Sequence, residues 1–320
     1  MSTSETAISR PSSPAPTSAG WLRRLLVANL VLQMLIIVSG GLVRLTGSGL
    51  GCPTWPQCTP GSFTPVVGQE QGIHAAIEFG NRLMTFVLGF TAIALVYAAQ
   101  RWAPHRPRFV WWSTVPLLGI VAQALLGGVI VLAHLDPKTV SPHFLLSIAL
   151  VAFSAWLLRR YDEGDGVRRV VVSPSVHALA YAAAGAFAVV TVFGTAVTGS
   201  GPHSGDAEQP VRFGFDPVVT SRLHSAAVWV FVILVVAALV LLRREGARAA
   251  LIRPWALVLG LSLAQGLVGY VQYALQIPWG LVLVHMALSA LLTAAMTFAV
   301  LSTRQVDRVG AGAEPAFHAG

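Results

Sequence analysis

Four histidines and one glutamate are the residues best placed to do chemistry in this chain. His74, His143, His224 and His285 each lie near the start of a long apolar stretch, two in each half of the sequence. Glu78 is the only carboxylate inside any of these stretches. It follows His74 by four residues, so on a helix the two share a face. Charged side chains cost roughly 2.5–3.5 kcal/mol each at a bilayer centre, so ionisable groups in apolar stretches are candidates for function. A single histidine of this kind more often just packs between helices. Four at one depth, repeated in both halves, argue for ligation. Two imidazoles on facing helices can clamp a haem, whose apolar faces suit a helical bundle. His224 with His285 makes one candidate pair and His74 with His143 the other. Zinc is the weaker alternative, because no carboxylate or thiol completes a tetrahedral set in the second half. The other histidines, His105, His134, His177, His203 and His318, fall in loops, at surfaces or in the tail and are assigned no role.

Glu78 has two readings. A carboxylate in an apolar site can exchange a proton with a reacting group. It can equally form a structural ion pair with Arg82, four residues further on. The second half has no carboxylate in a comparable place, which suggests one reactive site and one electron-transfer site. Arg82 and Arg222, each followed by Leu, together with Arg44 and Lys138, could bind anionic propionates at the water boundary. They could instead snorkel to lipid headgroups. Cys52 and Cys58 are the only cysteines, in Gly51-Cys52-Pro53-Thr54-Trp55-Pro56-Gln57-Cys58. They read as a disulfide shaping an outer lid, with free thiols as the alternative; two thiols without nearby histidines make a poor zinc site.

The elements that must position these residues are membrane helices. The chain is 55% hydrophobic and 11% charged, against about 25% charged in a soluble domain. A helix needs roughly 20 apolar residues to cross the hydrocarbon core. Eight stretches qualify: 22–43, 73–99, 110–133, 141–158, 174–198, 219–242, 254–274 and 279–302. The net charge of +8 could suggest nucleic acid, but its distribution argues against it. Of the 21 Lys and Arg, 16 fall in the tails and alternate loops on one side and 5 on the other. That bias predicts a multi-pass protein of a bacterial-type plasma membrane with both termini cytoplasmic. Residues 1–20, rich in Ser, Pro and Thr, predict a disordered cytoplasmic tail. Residues 304–320 predict a second polar tail.

The sequence is also duplicated. Gln123 precedes His143 by 20 residues and Gln265 precedes His285 by 20. Each of these histidines is followed by a serine at i+4, Ser147 and Ser289. Val38-Ser39-Gly40-Gly41 with Thr46-Gly47-Ser48-Gly49 parallels Val192-Phe193-Gly194-Thr195 with Thr198-Gly199-Ser200-Gly201. The expected architecture is an all-α membrane protein of two pseudo-symmetric four-helix halves, 21–160 and 161–303. An even number of spans per half gives both halves one orientation, related by an axis along the membrane normal. Gly40, Gly41, Gly127, Gly128, Gly194 and Gly269 would let helices approach closely.

Taken together, Gly40-Gly41-Leu42-Val43-Arg44-Leu45-Thr46-Gly47-Ser48-Gly49-Leu50, the Cys-Pro-x-Trp-Pro-x-Cys loop, Ile77-Glu78-Phe79-Gly80-Asn81-Arg82, the two Gln-x-x-x-Gly segments and the four histidines resemble the haem A synthase family over residues 21–303. The resemblance implies an oxidoreductase that oxidises a methyl group of haem O to the formyl group of haem A, for use by cytochrome oxidase. It implies a haem b held by His224 and His285 with Arg222 nearby, relaying electrons to an unidentified acceptor. It implies a first half that receives substrate haem O, with His143 as a ligand, Arg82 in the site and Glu78 as catalytic residue. It implies a disulfide between Cys52 and Cys58, and haem O supplied by a haem O synthase. A homo-oligomer is compatible with the sequence but not specified by it. There are two departures. Many members carry His three residues after the glutamate, where this chain has Asn81; either His74 supplies the ligand or His143 holds the iron alone. Residues 199–218 also lack the cysteine pair that many bacterial members carry, which excludes a thiol redox role for that loop. The competing function is a diheme b-type cytochrome exchanging electrons with quinone. Such proteins usually place haems at both membrane levels, and here the four histidines are expected at one.

Overall fold

The structure, a computed structural model, describes residues 16–206 and 208–306. Among them eight helices are long and apolar enough to cross a membrane. In chain order the elements are α1 (Pro16–Leu45), α2 (Ile73–Trp102), α3 (Pro107–Ser113), α4 (Val115–Leu132), α5 (Pro137–Glu163), β1 (Arg168–Val170), α6 (Pro174–Ser200), α7 (Pro217–Arg244), α8 (Ala249–Ala274), α9 (Trp279–Ser302) and β2 (Arg304–Val306). The third span is α3 and α4 together, broken at Thr114. Pro116, which has no N–H to donate, sits in the first turn beyond the break.

Both expected tails begin differently from the sequence expectation. Helix α1 starts at Pro16, inside the stretch assigned to the first tail; residues 1–15 lie outside the described residues. Residues 304–306 form β2, which pairs antiparallel with β1 in the loop between the halves. Those of their backbone groups that face β1 are paired in that ladder. Residues 307–320 lie outside the described residues.

Two apolar cores underlie the two halves. One joins α1, α2 and α5 through Leu26, Leu30, Leu95, Val151 and Leu157. The other joins α6, α7 and α8 through Val176, Ala183, Phe231, Val235 and Trp255. Helix α9 belongs to both: Ala290 and Ala294 enter the first core, Leu292, Ala295 and Met296 the second. A Cβ on Gly41 of α1 would lie 2.9 Å from Met286 Sδ of α9, so the absence of a side chain there sets how closely the halves meet.

The duplication persists in the backbone. The turns before α5 and α9 each hold two consecutive non-glycine residues with positive φ, His134 (49°) and Leu135 (59°), then Gln276 (61°) and Ile277 (60°). Such a conformation is uncommon for side-chain-bearing residues. Leu135 N–H donates to Ile130 O and Ile277 N–H to Gln272 O, closing the two helices before them in the same way. These turns aim the starts of α5 and α9, which carry His143 and His285.

The two ends differ in character. At one end arginines meet carboxylates, Arg23 with Asp162 and Arg106 with Asp165. The Arg106 guanidinium holds the Asp165 carboxyl below its ordinary range. At the other end the loops of the two halves are stitched together. Gly49 N–H donates to Gly205 O, Arg44 donates to the carbonyls of His203 and Thr198, and His203 Nε2 donates to Ile277 O. Arg44, a candidate for propionate binding, is thereby part of the seam.

A buried polar contact joins α1 to α5. Asn29 Nδ2 on α1 donates to Ser154 Oγ on α5 at 2.9 Å, both buried. Ser154→Ala should lower stability by about 1 kcal/mol, because it leaves the amide unsatisfied in apolar surroundings. Adding Asn29→Leu should recover part of that loss. Reversible unfolding in detergent checks both, and strictly additive losses would contradict the pairing.

Candidate functional site

The site rests on one contact made at four places. An odd-numbered span offers a glycine, and the next span lays a polar side chain against it. A Cβ built on Gly194 of α6 would lie 3.4 Å from His224 Cε1 on α7. On Gly269 of α8 it would lie 3.4 Å from His285 Cε1 on α9. On Gly127 of α4 it would lie 3.8 Å from His143 Cε1 on α5. On Gly40 of α1 it would lie 3.9 Å from the amide oxygen of Asn81 on α2. Three imidazoles and one amide thus occupy four equivalent positions.

In the second half the two rings face one another. His224 and His285 have ring centroids 6.5 Å apart. An imidazole nitrogen binds a metal at about 2.0 Å, and two rings on opposite sides of one ion then have centroids roughly 6–6.5 Å apart once the ring radii are added. His224 Nδ1 donates to Val190 O at 3.1 Å, which leaves Nε2 as the lone-pair nitrogen for a metal. Gln265 Nε2 donates to His285 O at 3.0 Å, bracing the turn that carries the second ring. No three of His, Cys, Asp and Glu come together among the described residues, so a zinc-type ligand set does not form among them. Two facing rings cradled by glycine fit a bis-imidazole haem. Arg222 is exposed on the same helix two residues before His224 and makes no hydrogen bond or ion pair among the described residues. Its guanidinium is free for an anionic group.

The first half keeps half of this arrangement. Gln123 Nε2 donates to His143 O at 3.1 Å and to Ser147 Oγ at 2.6 Å, matching the Gln265 brace. At the position matching His224, however, stands Asn81 rather than a histidine. Ser39 Oγ lies 2.7 Å from Asn81 Oδ1 and 3.2 Å from Ile36 O. Ile36 O holds the place that Val190 O holds beneath His224.

His74 is elsewhere. It is the second residue of α2, whereas His143 and His285 lie six residues, His224 seven and Asn81 eight beyond the first residue of their helices. At 1.5 Å rise per residue that puts His74 roughly 8–10 Å nearer the start of the helix. It is exposed, and its Nδ1 sits 2.8 Å from Ser48 Oγ. No ring contact joins it to His143 among the described residues. One depth for all four histidines therefore holds for three, and the first-half pair drawn from sequence is not brought together.

The Arg-Leu match also shifts. Arg82 follows Asn81 by one residue, while Arg222 precedes His224 by two. With Asn81 and His224 equivalent, Glu78 and Arg82 correspond to Ser221 and Ser225. The acid–base pair therefore belongs to the first half alone, and the two arginines have different surroundings.

Arg82 forms the interior of the loop between α1 and α2. Its Nη2 donates to Glu78 Oε1 (2.7 Å), Cys52 O and Thr54 O, its Nε to Glu78 Oε1, and its Nη1 to Gln57 O and Pro56 O. Its donors are spent within the protein, so Arg82 is not free for a propionate. The ion pair with Glu78 is among the sequence expectations for this arginine, whereas its contacts to the loop carbonyls are not. Glu78 is buried and ion-paired as its structural reading required. Its second oxygen accepts the Cys52 N–H at 2.6 Å. Cys52 and Cys58 form a disulfide, and both are inaccessible. A Cβ on Gly51 would strike the His74 carbonyl, and one on Gly128 would strike the Trp55 ring. The loop is thus pressed onto α2 and α4 directly above Asn81 and His143.

Two kinds of comparison bear on this arrangement. A family model described as cytochrome oxidase assembly protein matches residues 23–297, and the chain belongs to that family. Proteins named Heme A synthase are among its relatives. That of Shouchella clausii is 31% identical over 156 residues, 48% of this chain and 50% of the relative. That of Lysinibacillus sphaericus is 34% identical over 139 residues, 43% of each chain. That of Geobacillus thermodenitrificans is 28% identical over 148 residues, 45% of each chain. The chain spans about half the length of the curated relatives it matches.

Replacing Arg82 by Leu strands Glu78 in the interior, a loss of roughly 3–5 kcal/mol, and frees the loop. Reduction of the shielded Cys52–Cys58 disulfide by a mild phosphine should then be at least about tenfold faster, since local opening governs access. An unchanged rate would show that something other than Arg82 holds the loop.

Proposed function

We propose that this member of the cytochrome oxidase assembly family is a haem A synthase, an oxidoreductase that converts a methyl group of haem O to the formyl group of haem A. One observation carries the reading. A glycine-cradled site is built twice, and only the first copy has a carboxylate beside it. The names of the relatives support the same activity.

In the second half His224 and His285 would hold a haem b, which supplies one-electron redox chemistry when bound. Arg222 would meet a propionate there. In the first half His143 would hold the iron of the substrate, haem O, which enters from the bilayer after release from a haem O synthase. Conversion of the methyl group takes its oxygen from water through a gem-diol and releases protons and electrons. The electrons pass to an acceptor outside the chain. Glu78 takes a departing proton on Oε2, the oxygen not engaged by Arg82, through the lone pair that the Cys52 N–H leaves free. Arg82, the disulfide and Trp55 keep the loop closed over the site and exclude bulk water. The arginine-rich end faces the cytoplasm, so both termini are cytoplasmic and the disulfide faces out. This is the location in which a disulfide persists.

Two experiments test this. Full-length protein is expressed with a haem O supply, and the extracted haems are separated by reversed-phase chromatography with mass detection. The wild type should yield haem A. Glu78→Gln, which keeps an acceptor for the Cys52 N–H, should lower that yield at least about a hundredfold with the disulfide still shielded. Unchanged haem A in Glu78→Gln removes the assigned role, and haem b alone in the wild type overturns the synthase reading. The orientation is tested by single cysteines placed at Glu208 and Asp165. An impermeant maleimide on intact cells should label only the first, and the reverse pattern would invert the topology.

A further inference from the structure

The repeat makes a comparison that neither half makes alone. His143 and His285 are the same position twice, down to the glutamine that holds their carbonyls. Their opposite numbers differ. In the second half it is an imidazole on Gly194, tied to Val190 O. In the first half it is a carboxamide on Gly40, tied to Ser39. A carboxamide is shorter than an imidazole and offers a neutral oxygen and an N–H2 in place of a basic nitrogen. Here the oxygen is already used: it lies 2.7 Å from the Ser39 hydroxyl. That contact turns the amide, and its Nδ2 has no partner among the described residues. The free end is therefore a pair of N–H donors, which cannot ligate a metal. His74 cannot substitute, being a turn or more away along α2 and held by Ser48.

Resting on the reading of the first half as the substrate site, we propose that the haem bound there is held on one axial side only, by His143. Asn81, positioned by Ser39, presents a hydrogen-bond donor to its open face. The halves are then specialised by one substitution in a repeated frame. The second half closes both faces of its haem, which suits electron transfer. The first leaves one face open to a small ligand and supplies a donor to orient it. Ser39 has Phe193 as its counterpart in the second half, so the hydroxyl is present only where there is an amide to orient. Asn81 is a positioning residue in this account, and Glu78, three residues earlier on the same face of α2, lies between it and the loop.

The test uses full-length protein purified in detergent and loaded with haem O. Carbon monoxide on the reduced protein and fluoride on the oxidised protein are the probes. The wild type should bind about one carbon monoxide per chain and show one high-spin and one low-spin ferric haem. Asn81→His should convert the high-spin haem to low-spin and cut carbon monoxide binding at least about tenfold. Asn81→Leu should keep carbon monoxide binding but weaken fluoride roughly ten- to a hundredfold, the loss of one hydrogen bond to an anion. Ser39→Ala should weaken fluoride by a smaller factor. A wild type with two low-spin haems and no carbon monoxide binding overturns the proposal, the more so if His74→Ala then opens the site. Equal fluoride affinity in wild type and Asn81→Leu overturns the role given to the amide. Failure to take up any haem beyond the second-half one is a separate outcome: it removes the substrate-site reading itself and this proposal with it.

Discussion

A glycine on one helix against a ring on the next is the contact on which the rest of this structure depends. An imidazole needs room beside a helix, and in a membrane bundle that room comes only where the neighbouring helix has no side chain. Gly194, Gly269 and Gly127 provide it for His224, His285 and His143. The remaining requirements follow. The chain must enter α5 and α9 at a fixed angle, and two left-handed residues before each helix set it. The histidine-bearing turn must not fray, and a glutamine from the preceding span holds its carbonyl.

A second constraint is particular to lipid. Polar groups inside the hydrocarbon region find no water and must satisfy one another. Glu78 and Arg82 do so with help from the loop between α1 and α2, whose carbonyls wrap the guanidinium. One arginine thus joins a buried carboxylate to a disulfide-closed cap. The cap sits over the first half, where the proposed reaction would require water to be controlled. In the second half Ser221 and Ser225 replace that pair.

Much of this was legible in the sequence, and the reasons differ by feature. The eight spans were readable because apolar runs of that length have one explanation. The duplication was readable because a gap of 20 between Gln and His recurs in rigid helical units. The register of the second repeat was not. Arg82-Leu83 and Arg222-Leu223 look equivalent, and only the packing against Gly40 and Gly194 shows that Asn81 matches His224. The same shift explains why His74 looked like a ligand. Counting from the end of an apolar run misplaces a residue, because α2 begins where its run begins, at Ile73, while α5 begins four residues and α7 two residues before theirs. The role of Arg82 was illegible for another reason. Its partners are backbone carbonyls at Cys52, Thr54, Pro56 and Gln57, and a carbonyl leaves no mark in the residue type. Ser39 could have been found from sequence, as the one polar residue set against an aromatic counterpart in the matching segment.

The central proposal is one frame used twice, closed around a haem in the second half and half-open in the first. The most direct measurement is an electron cryomicroscopy map of the full-length protein purified with haem O. The account predicts two macrocycles. One lies between His224 and His285 with density joining its iron to both rings. The other lies between His143 and Asn81 with density joining its iron to His143 alone. A first-half macrocycle bonded to His74, or none in that half, would contradict it.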